Sequence, residues 1–337
     1  MKQYLELLRS IQTFGYFTDD RTGVGTQALP GYFYQILLNM DNDGIIHNYP
    51  LLTTKKVFLR GSFEELLWKL NGETNIFGLV EKDVHIWTEW AFGKWLKVTG
   101  QYDKFEWYAD KQKTDFSNEW KQRKKNFETM ILSDPEFAKV WGDLGPTYGH
   151  HIRNFSEIRL SDVNIPGVIN LPKDYVIRPG IDQLSDVTDK ILNNPNSRRI
   201  IMTLWNPPDN PMTLLPPCPC FYQFFANQPG YLHMNVYQRS CDSFLGVPFN
   251  DAQDALLLIL LAKVTGRKPG IFNHFFGDAH IYNNHKDQVK EQLSREPKPL
   301  PSIRINRETN NLFDFKWTDI EIIGYDPYPE IKAPVAV

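Results

Sequence analysis

Apolar residues recur along this chain at two different spacings, and each spacing predicts an element. GSFEELLWKLNG alternates apolar and polar positions as an amphipathic helix does, and predicts a helix starting at Ser62 and stopping near Gly72. IDQLSDVTDKILNNP carries Ile181, Leu184, Val187 and Ile191 at roughly helical spacing, and Pro195 closes it. RRIIMTLWNP is a short β-branched run that reads as a strand. In CFYQFFANQPGYLHMNVYQR two strand-like runs flank NQPG, and Leu232, Met234 and Val236 alternate with polar residues, which predicts a hairpin. DAQDALLLILLAKVTG is apolar almost all round from Ala255 to Ala262, so it should be a helix buried at the centre of the protein, ended by Gly266. This order fits a long antiparallel sheet on central buried helices, an α+β arrangement, better than a regular βαβ alternation.

There are no repeats and no Ser/Gly linker. The composition shifts only over residues 93–143, rich in charge and aromatics, which read as a helical insertion in a single domain spanning 1–337. By itself that segment reads as a packed subdomain without chemistry. The 337 residues are 42% hydrophobic and 14% aromatic, enough for a large core.

Charge then removes whole classes of function. With 37 Lys+Arg against 40 Asp+Glu the net charge is -3, leaving no basic excess for dedicated nucleic-acid binding. No apolar run approaches the ~18 residues of a membrane span, and the N-terminus is too polar for a signal peptide, so a cytoplasmic location is expected. The three cysteines, Cys218, Cys220 and Cys241, are too few and too irregular for a disulfide framework or a zinc site, and no metal is expected. Cys220 and Cys241 read as small buried thiols.

Candidate chemistry concentrates between Pro216 and Asp287. Cys218 follows two prolines that stiffen its approach, and Arg198, Arg199 and Arg239 could supply the cations that make a thiol a nucleophile. Taken singly, each has a plainer reading: a buried inert thiol, a solvated strand end, a strand terminus.

Together with other blocks, these residues resemble the thymidylate synthase family. The blocks, in chain order, are DRTGVGT, YPLLTTKKV, ELLWKLNGETNI, IWTEWAF, NSRRI, LPPCPCFYQF, YQRSCDSFLGVPFN, FGDAHIYNNHKDQ and YDPYPEIKAPVAV, and they extend nearly from end to end. The insertion after IWTEWAF is similar to that of the longer bacterial members. The resemblance implies a thymidylate synthase-like fold, with a large, mostly antiparallel, twisted sheet. It also implies an obligate homodimer.

The implied reaction is methylation of deoxyuridylate with methylene-tetrahydrofolate as donor of carbon and hydride. The Cys218 thiolate adds to pyrimidine carbon 6 and makes carbon 5 nucleophilic. Arg21, Arg239 and Ser240 would bind the phosphate, with Arg198 and Arg199 arriving from the partner subunit, and the guanidiniums would depress the thiol pKa. Glu65 matches the glutamate that orders water and relays protons; its local alternative is a capping box with Ser62. Asn250 matches the asparagine that reads the uracil amide edge, where a carboxylate would suit cytosine; its local alternative is a helix cap together with Gln253. His280 and Tyr282 match the pair on the sugar hydroxyl, and i, i+2 spacing on a strand would give them one face. Asp242 matches the carboxylate on the folate pterin, Trp87 and Trp90 the indoles around the folate, and Tyr148 the tyrosine near the transferred proton. Val337 ends the tail that closes over the site.

The sequence departs from the family pattern at Pro219, at Asp251, Gln253 and Asp254, and at His151 and Ile152. Carboxylates at Asp251 and Asp254 would either hold a water near the ring or complement a helix dipole. The first outcome would suit the sister hydroxymethylases, in which water captures the methylene and leaves a 5-hydroxymethyl pyrimidine. A non-catalytic RNA-binding homologue is disfavoured by the retained nucleophile and the negative charge.

Overall fold

The computed structural model describes residues 1–20, 22–104, 108–110, 115–159 and 176–335; Arg21 and Val337 lie outside this set. Its main sheet has six strands in the order Tyr16–Thr18, Thr26–Leu37, Lys268–Tyr282, Tyr231–Asp242, Pro219–Phe225, Ile201–Thr203. All neighbours are antiparallel except Tyr231–Asp242 and Lys268–Tyr282, which run parallel. A parallel pair needs a crossover, and the helix Gly246–Val264 supplies it.

That helix is the buried centre expected from its composition: every residue from Ala255 to Ala262 is at most 3% exposed. The helix Leu59–Leu70 packs against it. The predicted hairpin is present, and Leu232, Met234 and Val236 are fully buried on its inner face. A second, four-stranded sheet joins Asn39–Met40, Ile46–His47, Ser302–Ile305 and Ile320–Ile323.

Both local capping alternatives are overturned. The first helix begins at Leu59, so Ser62 lies inside it with a buried, unpartnered hydroxyl, and no capping box forms with Glu65. The central helix begins at Gly246, four residues before Asn250, so neither Asn250 nor Gln253 caps it. The turn leading into that helix is braced by Asp242, whose Oδ1 accepts from the amides of Phe244 and Leu245 at 3.0 Å each. The helix over 183–193 starts after Asp182, which caps it through the amide of Ser185, and leaves Ile181 outside and exposed.

Within 93–143 the described elements include Asn118–Ser133 and Pro135–Trp141, with Trp120, Phe127 and Ile131 buried against Phe92 and its neighbours. The face of the main sheet opposite the central helix is different in kind. Phe33, Phe275, Tyr237 and Phe221 stand in register across four strands, with the rings of Phe33 and Phe275 stacked at 5.5 Å. Phe33 is 59% exposed and Tyr237 44% exposed. The next row is an amide ladder: Gln35 Nε2 donates to Asn273 Oδ1 at 2.9 Å, and Asn273 Nδ2 to Asn235 Oδ1 at 2.8 Å.

Candidate active site

One cavity of about 1370 Å³ opens where the Tyr231–Asp242 strand, the central helix and the C-terminal segment meet. It exceeds the ~300–1,000 Å³ of an ordinary small-molecule site, which is room for two ligands side by side.

Cys218 lines this cavity, immediately before a strand that starts with a bulge between Pro219 and Phe221. The prolines ahead of it expose carbonyls that one side chain gathers. Arg239 Nε donates to Pro217 O at 2.9 Å and Nη2 to Pro216 O at 2.7 Å, and Nη2 lies 3.8 Å from the Cys218 Sγ. Arg239 therefore both shapes the nucleophile loop and sets a positive charge beside the thiol. The Cys218 amide donates to the Tyr148 hydroxyl at 2.8 Å. Burial at the cavity floor pushes the thiol pKa up, while the Arg239 charge, the hydrogen bond with Tyr148 and the Lys69 charge pull it down. Burial prevails, so the expectation of a thiol depressed by arginines does not hold for the chain alone. Arg239 is the only one of the four arginines that lines the cavity among the described residues; Arg198 and Arg199 are exposed at the sheet edge and do not reach it, and Arg21 is outside the described set.

Glu65 borders the cavity from the Leu59–Leu70 helix, held by three donors. Trp87 Nε1 donates to Oε1 at 2.8 Å, Gln253 Nε2 to Oε2 at 2.7 Å, and Lys69 Nζ lies 3.0 Å from Oε1. Lys69 also donates to Gln253 Oε1 at 2.8 Å and sits 4.5 Å over the Tyr148 ring. Lys69 was not among the expected site residues. Its signal in the sequence is one charge set four residues after Glu65 on an otherwise apolar turn, LLWKL, a spacing that brings side chains together on a helix.

Asn250 lines the cavity, and its Oδ1 accepts from Gln238 Nε2 at 3.1 Å. Ser240, His280 and Tyr282 line it too. The rings of His280 and Tyr282 meet edge-on at 5.1 Å, on one face of their strand as the i, i+2 spacing predicted, and His280 Nδ1 is 2.9 Å from Asp278. Asp242 lines the cavity as well as bracing the turn; nearby, burial lowers the Lys55 amine to about 7 against the opposing pull of Asp242 and Glu330.

The apolar wall is aromatic. Trp87 lies 5.5 Å from Trp90 and 5.8 Å from Tyr148, and the Trp90 indole N–H is buried without a partner. Residues 331–335 of the C-terminal segment line the opposite side, tied down by His285 Nε2 donating to Pro334 O at 2.8 Å. Phe116 and Lys124, from the 93–143 segment read as a packed subdomain without chemistry, also line the cavity.

The departures fall elsewhere than expected. Asp251 and Asp254 do not border the cavity: Asp251 is fully buried against Tyr34 and His274, and Asp254 against Tyr222. Neither can hold a water at a ligand ring. Burial raises the Asp254 carboxyl to about 6, and one of its oxygens has no partner. His151 pairs with Asp209 at 3.0 Å and Ile152 is in the core, both away from the cavity. Pro219 and Gln253 do act at the site, the first in its wall and the second through Glu65. Among the described residues no His, Cys, Asp or Glu cluster is arranged to hold a metal, and no helix is long and apolar enough to cross a membrane.

This arrangement, a thiol between an arginine and a tyrosine, an amide, a carboxylate with its own donors and an indole wall, bears on the resemblance noted from the sequence. The family model for thymidylate synthase matches residues 2–337, and the chain belongs to the thymidylate synthase family.

Proposed function

We propose that this protein converts deoxyuridylate to thymidylate as a homodimer, with methylene-tetrahydrofolate as donor of carbon and hydride. The family acts at carbon 5 of deoxyuridylate by methylation or hydroxymethylation, as one-carbon transferases with a folate co-substrate. The observation that carries the methylation reading is the lining of the cavity, the Trp87–Trp90–Tyr148 wall together with residues 331–335, between which a bound folate would be shielded from solvent. Excluding water protects a reactive methylene from hydrolysis.

The cavity residues fit a folate. The volume exceeds one nucleotide, the wall is aromatic, the unpartnered Trp90 N–H needs an acceptor, and Asp242 offers a carboxylate acceptor. When bound, the folate supplies the methylene carbon and the hydride.

Cys218 adds through Sγ to carbon 6 of the uracil ring, which raises electron density at carbon 5. Arg239 steadies the thiolate, and with Ser240 takes the nucleotide phosphate. Arg198 and Arg199 complete that cradle from the partner. Asn250 reads the ring's amide edge, His280 and Tyr282 hold the sugar hydroxyl, and Glu65 accepts and returns protons through ordered water at the pyrimidine. Tyr148, hydrogen-bonded to the Cys218 amide, stands by the proton leaving carbon 5.

Dimerisation is supported by the exposed aromatic row on the main sheet, an apolar surface of the kind that a subunit contact covers. Phe275→Asp should give a monomer by sedimentation that has lost turnover; an active monomer overturns the shared cradle.

One observation favours hydroxymethylation instead. Lys69 and Gln253 add polar groups beside Glu65, where a water could be held against the methylene. Incubation with deoxyuridylate and methylene-tetrahydrofolate decides between them. A product heavier by a methyl group with dihydrofolate formed is expected; a hydroxymethyl product with tetrahydrofolate would establish the second reading and remove the first.

A further inference from the structure

Asn250 stands at the end of a hydrogen-bond chain that runs from the cavity into the core. Its Oδ1 accepts from Gln238 Nε2 at 3.1 Å; Gln238 Oε1 lies 3.0 Å from His274 Nε2; His274 Nδ1 lies 2.9 Å from Asp251 Oδ1; and Tyr34 donates to Asp251 Oδ2 at 2.5 Å. Asp251 and His274 are fully buried, and Gln238 is 2% exposed.

The direction of the bonds at Gln238 is set by a group that cannot reverse. Gln238 Nε2 also donates to the backbone carbonyl of Ser240 at 3.1 Å, and a carbonyl only accepts. The amide end of Gln238 is thereby fixed towards Ser240 and Asn250, and its oxygen towards His274. His274 then faces the amide oxygen at Nε2, so the ring donates there, and its Nδ1 is hydrogen-bonded to Asp251. A buried polar ring is tolerated only with its hydrogen bonds made. Asp251 makes the second of these bonds, itself anchored by Tyr34.

We infer that Asp251 and His274, neither of which touches the cavity, are positioning residues that act with the Ser240 carbonyl to set pyrimidine specificity: the carbonyl holds the Gln238 amide nitrogen, His274 holds its oxygen, and together they fix which way round the Asn250 amide stands. This rests on the reading of Asn250 as the residue that meets the base. With Oδ1 held by Gln238, the amide keeps one oxygen lone pair and the Nδ2 hydrogens for a ligand. Those match the N3–H donor and O4 acceptor of uracil. Cytosine presents the reverse, an acceptor at N3 and an amino donor at carbon 4, and would need the amide turned over. Turning it would set Nδ2 against Gln238 Nε2, donor against donor, and leave a buried hydrogen bond unmade, a penalty worth roughly ten- to a hundredfold in affinity. The polarity chosen in the core is thus read out at the base.

The test is equilibrium binding of deoxyuridylate and deoxycytidylate by calorimetry to the full-length protein, to Asp251→Asn, and to the double variant Asp251→Leu, His274→Phe. The double variant removes both polar side chains together, so that neither is left buried without its partner. Binding is measured instead of turnover, so a failure of the proposed reaction leaves the result readable. The ratio of the two dissociation constants should fall at least about tenfold in both variants, with deoxycytidylate gaining relative to deoxyuridylate. A purely structural role would weaken both nucleotides in parallel. An unchanged ratio in either folded variant, verified by circular dichroism, overturns the inference.

Discussion

Two pairs of polar residues on the central helix, displaced by a single position, meet opposite fates. Asn250 and Gln253 fall on one stripe of the Gly246–Val264 helix and reach the cavity or the Glu65 cluster beside it. Asp251 and Asp254 fall on the next stripe, about 100° round the axis, and are sealed among Tyr34, His274 and Tyr222. One pair are amides and the other carboxyls, but burial does not separate them, since Gln253 is 5% exposed and Asp254 3%. What separates them is whether their partners border open space. A buried polar group serves the chemistry when a ligand can approach its cluster, and is a structural group or a source of specificity when none can.

The sharpest way to test that division is on the cavity side. Cys218→Ser should lower turnover of deoxyuridylate by about 10⁴-fold or more with the melting temperature held, in a steady-state assay; retained activity would reject the covalent route. A smaller effect is expected at Lys69. Lys69→Met removes a charged donor from Glu65 and should lower kcat about 10- to 100-fold with nucleotide affinity little changed. If stability falls and kcat does not, Lys69 belongs with the sealed group.

On the sealed side the effect moves from activity to stability. Asp254→Asn should leave kcat/KM within about twofold. In the folded protein the Asp254 carboxyl titrates at about 6, above the ordinary 3.8, because burial disfavours its charged form. The folded state is therefore penalised above pH 6, where the carboxylate must exist in both states, and the penalty fades as pH falls to about 4. The substitution should stabilise by about 1–2 kcal/mol at pH 8, less than the roughly 3 kcal/mol of the full rise because the amide stays buried with one polar atom unpaired. Chemical denaturation at pH 8 and pH 4 checks this, and a gain that persists at pH 4 would contradict the assignment. The smallest effect concerns reactivity. With its pKa pushed up by burial, Cys218 in the free enzyme should alkylate a few-fold more slowly than free cysteine at pH 8 and accelerate as pH rises.

Much of this architecture is legible in the chain. The alternation at Leu232, Met234 and Val236, the all-round apolar run from Ala255 to Ala262 and the i, i+2 spacing of His280 and Tyr282 each correspond to what the structure contains. Local pattern failed at the helix starts. Ser62 with Glu65, and Asn250 with Gln253, have the composition of caps, yet each pair lies inside a helix that begins earlier. Hydrogen-bonding side chains look alike in sequence whether they serve the backbone of their own helix or a distant group.

By itself, then, the sequence determined the family, the order of elements and which positions are buried, because hydrophobic periodicity and ordered motif blocks are properties of the chain read locally. Only the tertiary structure decided what the buried polar groups face. Gln253 meets Glu65 across 188 residues of chain and Tyr34 meets Asp251 across 217. Periodicity reports that such a residue is inside, but pairing, cavity access and the direction of each hydrogen bond exist only once those distant segments are packed together.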